Sequence, residues 1–156
     1  MLKLLLRTMG DEQYMALALA EAKKAAKNGE VPVGAVVVFE DRVVARAGNR
    51  TITDCDPCGH AEIIALRAAA QSTGNHRLLG ATLYVTVEPC AMCAGAMIQA
   101  RIARLVYGCD DAKGGAVRSC FAVFDQPALN HRVQAIGGVL ANESIEMLQS
   151  FFAARR

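Results

Sequence analysis

His60-Ala61-Glu62 and, further along, Pro89-Cys90-Ala91-Met92-Cys93 supply an imidazole, a carboxylate and two thiols in two short segments. Imidazole and thiolate are ligands that zinc prefers, and a catalytic zinc keeps three protein ligands and leaves its fourth position to water. His60, Cys90 and Cys93 are the expected three, holding one Zn²⁺ per subunit. Zinc lowers the pKa of its water toward neutrality, so the chemistry is expected to be hydrolytic. Glu62 is the expected catalytic proton shuttle, near the metal without binding it; such general acid–base catalysis typically contributes ~10²–10⁴-fold. Two thiolates and a hydroxide would leave the site negative, which favours ligands at helix N-termini, where free N–H groups and the helix dipole attract anions. A Cys-x-x-Cys pair on a helix shares one face, and Pro89 suits a first helical position, where a missing N–H is no loss.

A competing arrangement uses Cys55-Asp56-Pro57-Cys58, which with Cys90 and Cys93 could close a structural Cys₄ site. It leaves His60, Glu62 and Pro89 without a role. Cys109 and Cys120 read as small buried apolar residues.

The elements that must position these groups follow from apolar spacing. Asp11 to Asn28 reads as an amphipathic helix closed by Gly29, and Val33 to Phe39 as a buried strand paired in a hairpin with Arg42 to Ala47. The loop from Gly48 to Gly59 delivers His60 to a helix that ends at Ser72-Thr73-Gly74-Asn75. Ala81 to Val87 alternates as a third strand, the Cys90 helix runs to Ala100, and Leu105 to Tyr107 makes a fourth strand. Val133 to Ile136 is an expected fifth strand, and Asn142 an expected cap for a last helix carrying Phe151 and Phe152. Strands alternating with helices point to an α/β fold, a three-layer α/β/α sandwich around a central five-stranded mixed sheet.

With 156 residues, 53% of them hydrophobic and 21% charged, the chain is expected to form one globular domain over 1–156, residues 1–10 being a loose extension. The run Leu2 to Arg7 is too short to span a membrane and lacks a signal-peptide cleavage region. Six cysteines without a secretion signal suggest a reducing, cytoplasmic setting and no membrane association. A net charge of +2 announces no nucleic acid by itself, although Lys23, Lys24 and Lys27, Arg101 and Arg104, and Arg155 and Arg156 form local basic clusters. Aromatic residues make up only 5% with no Trp, so an extended base-stacking platform is not expected.

The H-x-E and P-C-x-x-C segments are together the signature of zinc-dependent nucleobase deaminases. From Tyr14 to Arg156 the chain resembles the cytidine deaminase superfamily, and within it the bacterial tRNA-specific adenosine deaminases. The resemblance rests also on Val31-Pro32-Val33-Gly34-Ala35-Val36, Gly48-Asn49-Arg50, Asp111-Ala112-Lys113, Asn130-His131-Arg132-Val133 and Phe151-Phe152. It implies a cytidine deaminase-like fold and hydrolysis of the wobble adenosine of a tRNA anticodon stem-loop to inosine, with zinc-activated water attacking C6. It also implies a homodimer. By the same resemblance Asn49 and the backbone N–H of Ala61 hold the base, Asp111 and Lys113 touch the anticodon backbone, and Arg132, Arg155 and Arg156 contact phosphates. Cys58-Gly59 departs from the Thr-Ala or Ser-Ala pair common before the histidine. Two other readings stay open: a deaminase of guanine, cytidine or another small substrate, and a catalytically silent, zinc-stabilised RNA-binding subunit.

Overall fold

Thr82–Val87 (β3) lies at the centre of a five-stranded sheet, which is why it is buried on both faces. The computed structural model describes residues 9–156; residues 1–8, most of the expected extension, lie outside the described residues. β1 (Gly34–Phe39) and β2 (Arg42–Gly48) form the expected hairpin, β4 (Arg104–Cys109) and β5 (Gln134–Ile136) complete the sheet, and the order is β2-β1-β3-β4-β5. β1 runs antiparallel to β2 and β3, whereas β3, β4 and β5 are parallel, so the sheet is mixed.

Side-chain alternation divides the core between the two faces. Val36, Val38, Tyr84 and Val106 pack with Tyr14, Met15 and Ala18 of α1 (Asp11–Lys27), the face that also carries α4 (Ala141–Ala153). Ala35, Val37, Leu83, Val85 and Leu105 pack with α2 (Ala61–Thr73) and α3 (Ala91–Ala100) on the other. Small residues set the layer spacing: a Cβ on Gly34 would collide with backbone at Ala18 and Ala22, so α1 lies directly on β1. Asp11, at the start of α1, accepts hydrogen bonds from the Tyr84 hydroxyl (2.8 Å) and Arg104 (3.0 Å), which locks helix to sheet at the end away from the cysteines. Among the described residues no helix is long and apolar enough to cross a membrane.

Three details differ from expectation. Asn142 does not cap α4: Leu140 occupies the cap position with φ 51, because the chain leaves the sheet through a left-handed turn at Gly138 and Leu140. Pro89 precedes the cap of α3 rather than opening the helix, and its carbonyl accepts the Ala116 N–H at 2.8 Å. Cys109 is buried as expected, but Cys120 is exposed, on a surface loop with its thiol directed at the Ala112 carbonyl. On α3, Cys93, Ala94, Met97 and Ile98 face the sheet, whereas Met92, Gly95 and Ala96 are only half-buried.

Candidate metal centre and active site

Cys90 and His60 are the cap residues of α3 and α2, and neither side chain caps its own helix. A cap side chain normally turns back onto the helix N–H groups; these two turn to each other. The Sγ atoms of Cys90 and Cys93 both lie 3.5 Å from Nδ1 of His60. All three potential ligand atoms fall within 4.8 Å of one another, the single group of three or more such ligands among the described residues. Zinc–nitrogen bonds of ~2.0–2.1 Å and zinc–sulfur bonds of ~2.3 Å at a tetrahedral angle separate N from S by about 3.5 Å. The residues present therefore fit a metal ion, with His60 offering Nδ1. Cys55 and Cys58 are exposed and outside this group, so the closed Cys₄ arrangement is not formed.

Charge at the centre suits a cation. A hydrogen bond from Cys93 draws the Cys90 thiol down to about 5 against the cost of burial, while the same bond and burial push Cys93 up. A metal that displaces the shared proton gains both sulfurs as thiolates. Glu62 follows the histidine by two residues in the first turn of α2 and is buried. Burial pushes its carboxyl up, and its own N–H, Cys93 and His60 pull it only partly back. A carboxyl raised in this way holds a proton more readily than a free one, as a group that both takes and gives protons must.

A cavity of about 110 Å³ opens over these groups, lined by Val33, Asn49, His60, Glu62, Val87, Glu88, Cys90 and Asp111. Asn49 accepts the Ala61 N–H on Oδ1 at 3.0 Å. The backbone donor expected to meet the base is thus committed to Asn49, and the amide nitrogen of Asn49 is the group left to meet a ligand. Asp111 closes a tight turn, accepting the N–H groups of Lys113 (3.0 Å) and Gly114 (3.2 Å), and Lys113 is exposed beside it.

The expected arginines do not line this cavity. Arg132 donates to the carbonyls of Phe124, Gln126 and Pro127, and its neighbours do similar work: His131 donates to the Ile102 carbonyl and Asn130 accepts from Arg101. Arg155 stacks on the Phe151 ring, 3.4 Å from its centre, in a groove it shares with Lys23, Glu143 and Glu146; Arg156 is exposed at the end of the chain.

Two buried carboxylates were not singled out by residue type and spacing. Glu88, between β3 and Pro89, would be raised by burial, but hydrogen bonds from the Arg118, Ser119 and Asp111 backbone and the Ser119 hydroxyl bring it down to about 2. Glu30 accepts the Thr53 N–H (2.7 Å), the Thr53 hydroxyl (2.6 Å), the Ile52 N–H and the Thr51 hydroxyl, and so anchors the loop between Asn49 and His60. Their only sequence signal is an acid in an apolar setting, at the end of a strand or just after a helix.

Burial again opposes ionisation of Glu30, yet the Thr53, Ile52 and Thr51 bonds win and its carboxyl stays below the ordinary 4.5. A carboxyl lowered on folding contributes stability above its unfolded pKa and loses it as pH falls through the folded value. Glu30→Gln is therefore expected to destabilise the protein at neutral pH, with the deficit shrinking below pH 4.5. Urea unfolding of both proteins across this range measures it; a deficit that stays constant would mean that the charge on Glu30 does not hold the loop.

A family model for MafB19-like deaminases matches residues 9–156. A tRNA-specific adenosine deaminase of Agrobacterium fabrum is 50% identical over 143 residues, 92% of this chain and 94% of the relative. One of Haemophilus influenzae is 49% identical over 151 residues, 96% and 87% of the two chains. A solved structure from work on A-to-I editing by tRNA:A34 deaminases at the wobble position of transfer RNA superposes with a TM-score of 0.85 at 50% identity, covering 87% of this chain and 99% of that one. With a superposable fold and identity sustained over nearly its full length, the chain belongs to the MafB19-like deaminase family and to the tRNA-specific adenosine deaminases within the deaminases.

Proposed function

We infer that the protein hydrolyses the wobble adenosine of a tRNA anticodon to inosine, with release of ammonia, using one zinc ion per subunit held by His60, Cys90 and Cys93. The observation that carries this reading is the two sulfurs, each 3.5 Å from His60 Nδ1, with buried Glu62 beside them in the same cavity. Zinc bound there supplies Lewis-acid activation of water at neutral pH. Glu62 takes a proton from the attacking water and delivers it to the ring nitrogen beside C6; it then takes the second proton from the hydroxyl now on C6 and passes it to the amino group, which leaves as ammonia as the C6–N bond breaks and C6=O forms. Asn49 offers its amide N–H groups to the base and holds the first turn of α2 through Ala61. Asp111 and exposed Lys113 form the wall on which an unpaired anticodon loop would lie, since loop bases can be splayed into a pocket without melting a duplex.

The relatives named tRNA-specific adenosine deaminases support this substrate. A homodimer fits the same reading: the half-buried outer face of α3, with Met92, Gly95 and Ala96, is small and apolar and suits a second copy of the chain.

The test is a substrate panel. Zinc-loaded protein is incubated with a tRNA carrying adenosine at the wobble position, with free adenosine, with guanine and with cytidine, and each product is identified by mass. Inosine in the tRNA and little turnover of the small substrates is expected. Turnover of guanine or cytidine with unchanged tRNA would replace this reading with a small-molecule deaminase, and no turnover of any would favour the silent RNA-binding subunit.

A further inference from the structure

Glu88 occupies a place with two consequences. Its backbone is the last residue between β3 and the Pro89-Cys90 corner, and its own N–H donates to the Cys109 carbonyl at the end of β4 at 2.9 Å. Its side chain points away from the sulfurs into the loop 110–119 that follows β4. There Oε1 accepts the Asp111 N–H (3.2 Å) and the Ser119 hydroxyl, and Oε2 accepts the N–H groups of Val117 (3.1 Å), Arg118 (3.0 Å) and Ser119 (3.0 Å). The loop wraps the carboxylate so closely that a Cβ on Gly115 would meet its carbon and both oxygens. The Ala116 N–H to Pro89 carbonyl bond, 2.8 Å, fastens the same loop one residue further on.

A carboxylate with five donors on two oxygens has no capacity left for a metal or for proton transfer. Nor is it a simple filler, since a buried charge is tolerated only where its bonds are complete. What it joins is specific: the corner that presents Cys90 and the loop that presents Asp111, both of which line the cavity over His60 and Glu62.

We propose that Glu88 is a positioning residue for the polynucleotide substrate, fixing the Asp111 wall at a set distance from the cysteine corner so that the flanking strand and the target base are held together. The inference rests on the tRNA reading above. Glu88→Gln is informative because an amide can still offer one oxygen to Val117, Arg118 and Ser119. Its NH₂ then faces the Asp111 N–H, donor against donor, and that one connection is lost.

The experiment uses the zinc-loaded holoenzyme and, as probe, an RNA anticodon stem-loop with adenosine at the wobble position. Metal content, KM and kcat are measured for the wild type, Glu88→Gln, Glu88→Asp and Gly115→Ala. In Glu88→Gln, zinc content is expected to match the wild type and KM to rise about tenfold or more, the loss of one hydrogen bond to a charged group, while kcat falls much less. Glu88→Asp keeps both oxygens and is expected to fall between the two. Gly115→Ala, which presses a methyl group into the carboxylate without altering Glu88, is expected to show the same rise in KM. If Glu88→Gln does not fold, Gly115→Ala decides.

A wild-type KM in the folded variants overturns the proposal. So does zinc lost in step with activity, which would make Glu88 a support of the metal site alone. If the wild type itself leaves the stem-loop unedited, the tRNA reading fails; if it edits normally and the variants match it, only the role of Glu88 fails.

Discussion

Glu62→Gln is expected to keep its zinc and to lose about two to four decades of turnover, the range that a positioned proton donor and acceptor contributes. The substitution is close to isosteric in a buried position at the start of α2, and Glu62 is not among the three grouped ligand atoms. Glutamine can still accept and donate hydrogen bonds but cannot carry the two protons of water, one to the ring nitrogen and one to the departing amine. Metal content by elemental analysis and single-turnover rates on the stem-loop, taken from the same preparation, separate binding from chemistry. A variant with full zinc and normal turnover would remove Glu62 from the mechanism.

Cys93→Ala is expected to lose metal and activity together. Cys93 is fully buried in the first turn of α3, with Sγ 3.5 Å from His60 Nδ1, and an alanine there leaves two ligands for an ion that needs three from the protein. Losing an outer partner of a metal ligand already weakens affinity ~10–100-fold, so removing a ligand itself should cost more. Exposed Cys55 and Cys58 are the control: replacing both is expected to leave the zinc content at one per chain. Full occupancy in Cys93→Ala, or metal lost in the double Cys55/Cys58 variant, would put the metal elsewhere.

The chemistry was legible in the sequence because it is local. His60 with Glu62 and Cys90 with Cys93 are each spaced within one helical turn, and both turns begin where apolar strand or loop signals end. The sheet was legible for a similar reason: β1 is a continuous apolar run and β3 an alternating one, and each is covered on both faces. The carboxylate clamps were not, since their meaning depends on chain that is distant in sequence. Glu30 acquires its role from Thr51 to Thr53, and Glu88 from Asp111 to Ser119, and no periodicity links these segments.

The same distance explains the arginines. The resemblance implies phosphate contacts for Arg132 and Arg155, yet the donors of Arg132 meet loop carbonyls and Arg155 lies on Phe151. The resemblance implies that the Ala61 N–H holds the base. Only the folded loop shows that Asn49 reaches it first.

The reaction is hydrolysis at one carbon of one nucleotide. Zinc-loaded protein and a wobble-adenosine tRNA incubated in heavy-oxygen water, followed by mass analysis of the anticodon fragment, test it directly. Inosine is expected at the wobble position alone, carrying one heavy oxygen from solvent. An unchanged fragment in the presence of bound zinc, or inosine without the heavy oxygen, would contradict it.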